Sequence, residues 1–260
     1  LMKAFYGRVA KSRAQVEAIV DQVLDKLDGR DAFDVMAEVA IPIPVLVIAK
    51  LLGVDERRIE QFRAWSEGLI LNFHPARSEA QTQLMVDCIM ALRKFFEGEI
   101  AERRARPRDD LISDILDAQE HGTQLSDKDI RENCIGFLVA GNLTTSDLIG
   151  NGVLTLLQHP EELRKLKANA ALIGKAVEEI LRFNPPVGQT ARIANRDMTV
   201  GGCPVKKTQV FVTSLPGANR DPAVYDNPNV FDITREPVPH MAFGGGAHIC
   251  IGAPLARLEA

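Results

Sequence analysis

Apolar residues at Val9, Val16, Ile19, Val20, Val23, Leu24 and Leu27 recur at spacings of three, four and seven. That is one stripe along a helix, which Gly29 ends. Pro42 and Pro44 interrupt the next apolar segment, because each lacks a backbone N–H and crowds the turn before it. "VLVIAKLLG" then resumes as a short buried helix closed by Gly53. Further helices are predicted from about Asp55 to Asn72 and from Ser78 to Arg104, with "RRARPRDD" as a solvated loop. Ser126 fits the N-cap of a much longer helix reaching about His159, with Asp127 and Asp129 in its first turn favouring the dipole. At 1.5 Å per residue that helix is about 50 Å long. Pro160 opens another, and "AALIGKAVEEILRF" gives one more before Pro185 and Pro186.

After the two prolines the pattern changes. "DMTVGGCPVKKTQVFVTS" carries short β-rich runs around Gly201 and Gly202 and reads as a hairpin. From Leu215 to Gly246 the chain is rich in Pro, Gly, Asn and Asp, a long irregular segment of the kind that usually carries function. The fold expected from these elements is mainly α with small β-sheet elements.

Composition narrows the function classes. The 260 residues are 46% hydrophobic and 25% charged, ordinary for a globular protein. A net charge of -4 excludes the basic balance that phosphate neutralisation requires, so no nucleic-acid partner is expected. No apolar run reaches the ~20 residues of a membrane span, and the start, "LMKAFYGRVAKSR", lacks the order of a signal peptide. Neither a membrane nor secretion is expected. The abrupt start and the end in "GAPLARLEA" suggest a partial sequence.

Cys88, Cys134, Cys203 and Cys250 show no paired spacing, which argues for a reducing, cytoplasmic setting. The first three are expected to be small buried hydrophobes. Cys250 has a different setting. Gly252, Pro254 and the run "LARLEA" place it at the mouth of a helix, where free N–H groups and the dipole favour a thiolate. Gly244, Gly245 and Gly246 let the backbone approach something flat without side chains in the way. As a nucleophile, Cys250 would have only His248 as an obvious partner, two residues away in a tight loop. A zinc site would need more ligands. A haem iron needs a single strong protein ligand on one face.

"FGGGAHICIG" follows Phe-x-x-Gly-x-His-x-Cys-x-Gly, with Phe243, Gly246, His248, Cys250 and Gly252 in place. In this the chain resembles the cytochrome P450 family, whose cysteine thiolate holds haem and favours O–O cleavage. Glu179 and Arg182, at i and i+3 on one helical face, resemble the family's Glu-x-x-Arg motif. Arg235 in "FDITRE" resembles the arginine that completes that network. Arg192, after "PPVGQT", resembles an arginine that binds a haem propionate, and His248 resembles the second propionate partner.

The long helix departs from the family pattern. Members typically read Ala-Gly-x-acid-Thr, a local distortion that opens an oxygen pocket beside a threonine. Here Ala140, Gly141, Asn142, Leu143 and Thr144 stand in those positions, and the carboxylate is missing. Asp147 lies one turn beyond Leu143 on the same face.

The resemblance implies a single, incomplete P450 domain over residues 1–260, of the soluble bacterial kind. It implies heme b (iron protoporphyrin IX) ligated by Cys250, with Arg192 and His248 on propionates and Phe243, Gly246 and Gly252 shaping the loop. Thr144, Ala140 and Gly141 would line the oxygen side; Glu179, Arg182 and Arg235 would support the site. The implied reaction is monooxygenation of a small hydrophobic substrate with O2. Electrons would come from a ferredoxin or flavodoxin-type donor with its reductase, since the chain has no Gly-x-Gly-x-x-Gly of its own. A peroxide-driven or otherwise divergent haem-thiolate enzyme, or a non-catalytic haem-binding protein, are the alternatives.

Overall fold

The structure, a computed structural model, describes residues 1–260 apart from Pro75, Thr123, Pro237 and Val238. The chain divides into two compact units. One comprises Leu1–Asp147 with Pro254–Glu259, and the other Leu148–Ala253 with Ala260.

In the first unit the N-terminal stripe lies on two helices, α1 (Met2–Val9) and α2 (Arg13–Leu24), not on one. The break falls at Ala10–Ser12, where the Ser12 hydroxyl donates to the Val9 carbonyl at 2.9 Å and competes with helix continuation. The stripe survives it, since Val9, Val16, Ile19, Val23 and Leu27 are buried while Leu24 is exposed. Pro42 and Pro44 also differ from expectation. They occupy the first turn of α3 (Pro42–Leu52), where no N–H is needed for the helix, so they start it. Nearly all of α3 is buried, and Gly53 caps it at φ 71.

α4 (Ile59–Ile70) packs on α5 (Glu79–Ala105), which Ser78 and Gln81 cap reciprocally. The segment expected to be a solvated loop contains the third correction. Arg103 and Asp110 are buried, 1% and 2% exposed, and paired at 2.9 Å. Asp110 also accepts from the Ser113 N–H at 2.8 Å and so caps α6 (Leu111–Glu120), a helix absent from the sequence reading. The Asp110–Ser113 spacing ahead of Leu111, Ile112, Ile115 and Leu116 was its available signal.

α7 (Asp127–Gln158) begins as expected. Ser126 accepts from the Asp129 N–H at 3.1 Å, and the Asp129 carboxylate accepts from the Ser126 N–H at 2.9 Å. Its residues from Leu148 onward belong to the second unit.

The second unit continues with α8 (Pro160–Ala168) and α9 (Ile173–Phe183), which buries Ala176, Val177, Ile180 and Leu181. β1 (Gln189–Ile193) pairs antiparallel with β4 (Val210–Ser214), Arg192 opposite Phe211. Between them β2 (Met198–Val200) and β3 (Cys203–Val205) make the expected hairpin, turning through Gly201 and Gly202 at positive φ. After α10 (Leu215–Ala218) the described residues form no regular element until a 3-10 turn at Gly246–His248. α11 (Ala253–Glu259) closes the described chain. Among the described residues no helix is long and apolar enough to cross a membrane.

Candidate functional site

The cysteine segment is built on a buried ionic network in the second unit. One turn of α9 places Glu179 and Arg182 on the same face, and they pair bidentately at 2.7 Å and 2.7 Å. They are 4% and 2% exposed. Arg182 spends its remaining donors on the carbonyls of Asn219, Pro228 and Val230 at 2.8 to 3.0 Å. Arg235 donates to Glu179 at 3.3 Å and to the carbonyls of Asp226, Asn227 and Val230. Glu179 also accepts from the Asp232 N–H at 3.0 Å. The network thus supplies partners to a stretch of backbone that has no helix or sheet of its own. The sequence-predicted trio of Glu179, Arg182 and Arg235 is brought together.

Beyond it the chain turns tightly. Gly244 and Gly246 stand at φ 70 and 68, a region L side chains rarely adopt. The Gly244 N–H donates to Met241 and the Cys250 N–H to Phe243, both at 2.9 Å, so residues 241 to 250 form a closed loop. The Phe243 ring lies 5.9 Å from the His240 ring. Residues 245 to 250 are exposed, Cys250 and His248 among them, and a Cβ on Gly246 would meet nothing within 4 Å. Gly252 stands where a Cβ would come 3.7 Å from the Cys250 sulfur. The Ala253 N–H donates to the Cys250 carbonyl at 3.3 Å, so the cysteine immediately precedes α11.

The other thiols differ. Cys88 and Cys134 are buried, as expected, and burial pushes the Cys134 thiol up to about 12, which keeps it protonated and inert. Cys203 departs from expectation. It is exposed, at the first position of β3 in the two-stranded hairpin.

Arg192 projects from β1, exposed, and its guanidinium donates to Thr190 at 2.7 Å and to the Ala191 carbonyl at 2.9 Å. Both partners lie on its own strand, which leaves further donors available. The soft sulfur, an exposed imidazole and an exposed guanidinium suit an iron with pendant carboxylates. Among the described residues no three His, Cys, Asp or Glu side chains gather as a metal site of another kind.

In the first unit, α7 presents Ala140, Gly141 and Thr144. The helix is continuous from Asp127 to Gln158. Two of its hydroxyls bond back to its own carbonyls. The Thr144 hydroxyl donates to the Ala140 carbonyl and that of Ser146 to Asn142, each at 2.8 Å. Gly141 lies against α3, where a Cβ would come 3.2 Å from Ile48. Asn142 is 1% exposed and donates to Ser66 at 2.8 Å, while its Oδ1 is buried without a partner. Leu143 is half-buried and Asp147 exposed.

Sequence reasoning missed Asn219, Tyr225 and His240, which hold the stem of the cysteine loop. Asn219 accepts from the Met241 N–H at 2.6 Å, Tyr225 donates to the Pro239 carbonyl at 2.7 Å, and His240 contacts Glu178 at 3.1 Å. Only their place in a Pro- and Gly-rich stretch marked them, because their partners are 14 to 62 residues away.

A tight glycine loop thus exposes one cysteine sulfur in the segment that follows a buried Glu-Arg-Arg cluster. The Cytochrome P450 family model matches residues 58–260, and the chain belongs to the cytochrome P450 family. It is 41% identical to the putative cytochrome P450 YjiB of Bacillus subtilis, over 99% of this chain and 66% of that protein. It is 40% identical to the biotin biosynthesis cytochrome P450 of the same organism, over 99% and 65%. Among solved structures, P450BioI bound to an acyl carrier protein ligated with hexadec-9Z-enoic acid superposes with a TM-score of 0.91 at 39% identity, covering 97% of this chain and 65% of that one. CalO2 gives 0.94 at 32% identity, covering 100% and 65%. The mainly α fold with small sheets is the P450 fold. The chain spans just under two thirds of the length of these relatives.

Proposed function

We propose that the protein of which this chain is part is a haem-thiolate monooxygenase, which inserts one oxygen atom from O2 into a small hydrophobic substrate. The observation that carries this reading is the glycine-walled loop whose exposed Cys250 is fixed through its N–H to Phe243. Heme b, when bound, supplies the redox chemistry that activates O2 with electrons from a ferredoxin or flavodoxin-type partner and its reductase. Cys250 Sγ is the ligand. Gly244 and Gly246 keep side chains off the haem face, Phe243 and Gly252 shape the loop, and Arg192 and His248 hold propionates.

Ala140, Gly141 and Thr144 line the oxygen side. Thr144 Oγ1 is the group that positions a proton there, and it must exchange its bond to the Ala140 carbonyl to do so. Asn142 is tied to Ser66 and is not free to relay one. Leu143 carries no proton at the position where the family has an acid, and that observation favours the second reading, a peroxide-driven or otherwise divergent haem-thiolate enzyme. An acyl chain on a carrier protein, as in the P450BioI complex, is one form the substrate can take. We read residues 1–260 as part of one cytoplasmic catalytic domain.

The test is the CO difference spectrum of the reduced, haem-loaded protein, in which Cys250→Ser should abolish the thiolate band. Persistence of that band would overturn the assignment. Product formed per reduced nicotinamide consumed, before and after Leu143→Glu, separates the two readings: a gain with the acid favours the reductase-driven route, and turnover with peroxide alone favours the other.

A further inference from the structure

The hydrogen bonds of the Glu179, Arg182 and Arg235 side chains end at residues 179 to 232. Among the described residues none of them reaches the loop that carries Cys250. Something else must transmit their order, and three side chains span the gap to its stem. The Tyr225 ring lies 5.4 Å beneath the Arg182 guanidinium, and its hydroxyl donates to the Pro239 carbonyl at 2.7 Å. His240 meets Glu178, the neighbour of Glu179, at 3.1 Å through Nε2, while its Nδ1 accepts from the Ala242 N–H at 3.2 Å. That second bond fixes the tautomer, since a ring nitrogen that accepts carries no proton, and it leaves Nε2–H to donate to the carboxylate.

Asn219 is the third and the most direct. Its carbonyl accepts from Arg182 at 3.0 Å, and its side-chain Oδ1 accepts from the Met241 N–H at 2.6 Å. It is 0% exposed, and Nδ2 faces the Leu181 carbonyl at 3.4 Å. Met241 in turn accepts from Gly244, and Phe243 accepts from Cys250, each at 2.9 Å. One continuous path therefore runs from Glu179 through Arg182, Asn219, Met241 and Phe243 to the cysteine amide. Losing that acceptor would remove the bond that ties the Met241 N–H to the buried Asn219.

We propose that Asn219 is a positioning residue for Cys250, the point at which the buried Glu-Arg-Arg cluster takes hold of the ligand loop, with His240 and Tyr225 as flanking pins. The inference rests on Cys250 as the haem ligand for its consequence, but the path itself exists without haem.

The experiment compares Asn219→Ala, Asn219→Asp and Tyr225→Phe by amide hydrogen exchange in the haem-free and haem-loaded protein, and by the reduced-CO spectrum. Asn219→Ala should speed exchange at Met241, Gly244 and Cys250 about tenfold or more, with α9 amides at their native rates. It should also divide the CO complex between thiolate and thiolate-free forms. Asn219→Asp keeps the acceptor and should restore Met241 protection and the thiolate form. Tyr225→Phe should leave the Met241 amide at the wild-type rate.

Unchanged exchange at Met241 and Cys250 in Asn219→Ala overturns the proposal. So does equal loss of protection across α9, which would mark a general packing role; if Asn219→Ala does not fold, failure of Asn219→Asp to retain Met241 protection overturns it in the same way. Faster exchange with no thiolate band in any variant, wild type included, would instead reject the haem-thiolate reading and leave the path standing.

Discussion

Arg103 in one unit and Arg182 in the other head the fully buried side chains of the described residues. Both guanidiniums clasp irregular backbone to a helix. Arg103, on α5, pairs with Asp110 and Glu99 and donates to the Gly53 carbonyl just past α3. Arg182, on α9, pairs with Glu179 and donates to three carbonyls of the segment after α10. Five donors on one planar group make arginine suited to either task. The difference lies in where the clasped chain leads. Arg103 locks a joint among three helices, whereas Arg182 holds the stretch that ends, through Asn219, in the Cys250 loop. Burial and pairing alone therefore do not mark a functional site; continuity with the exposed sulfur does.

The contrast breaks most sharply at Arg182. Arg182→Ala leaves Glu179 buried beside only Arg235 and should cost about 4–5 kcal/mol, read by denaturant unfolding, with loss of the thiolate band in whatever remains folded. Arg103→Ala should cost about 3–4 kcal/mol by the same measurement, and its folded fraction should keep a normal thiolate band. A lost band in the second variant would mean that the two clasps are not separable. Gly53→Ala tests the first joint from the other side: positive φ and the clash of the new Cβ with the Asp110 carboxylate should together cost about 2–3 kcal/mol.

Glu259, another buried ionisable group, sharpens the comparison, since among the described residues no arginine or lysine pairs with it as the arginines pair with their carboxylates. Its Oε2 is buried without a hydrogen bond, and burial raises its pKa well above the ordinary carboxylate value. With the folded pKa above the unfolded one, the stability it contributes is full below about pH 4.3 and is lost as pH rises through the folded value. Glu259→Gln should flatten that decline and add about 1–2 kcal/mol at neutral pH, measured by unfolding between pH 4 and 8. An unchanged slope would place the titrating group elsewhere.

The sequence announced the second clasp and was silent on the first for a physical reason. Glu179 and Arg182 are i,i+3 neighbours within a known spacing, while Arg103 finds Gly53 fifty residues away. Helix periods were readable where an apolar stripe meets a buried face, as on α2 and α9. They misled where local hydrogen bonds intervened, at Ser12, and where Pro42 and Pro44 could serve as helix starts as well as breaks. α6 was overlooked because charge in "RRARPRDD" resembles a solvated surface until Arg103 and Asp110 are seen to neutralise each other. Cys250 was found through its glycines, and the three stem residues were not, since a hydrogen bond to a distant backbone N–H leaves no periodic trace.

The strand pairs between Gln189 and Ser214 nest one inside the other, the β2–β3 hairpin within the β1–β4 ribbon. Nesting sets an order of events. Closing the ribbon directly means joining ends some twenty residues apart, whereas a two-glycine turn that forms first removes most of that chain from the search. The turn through Gly201 and Gly202 thus lowers the closure cost of the ribbon whose first strand carries Arg192.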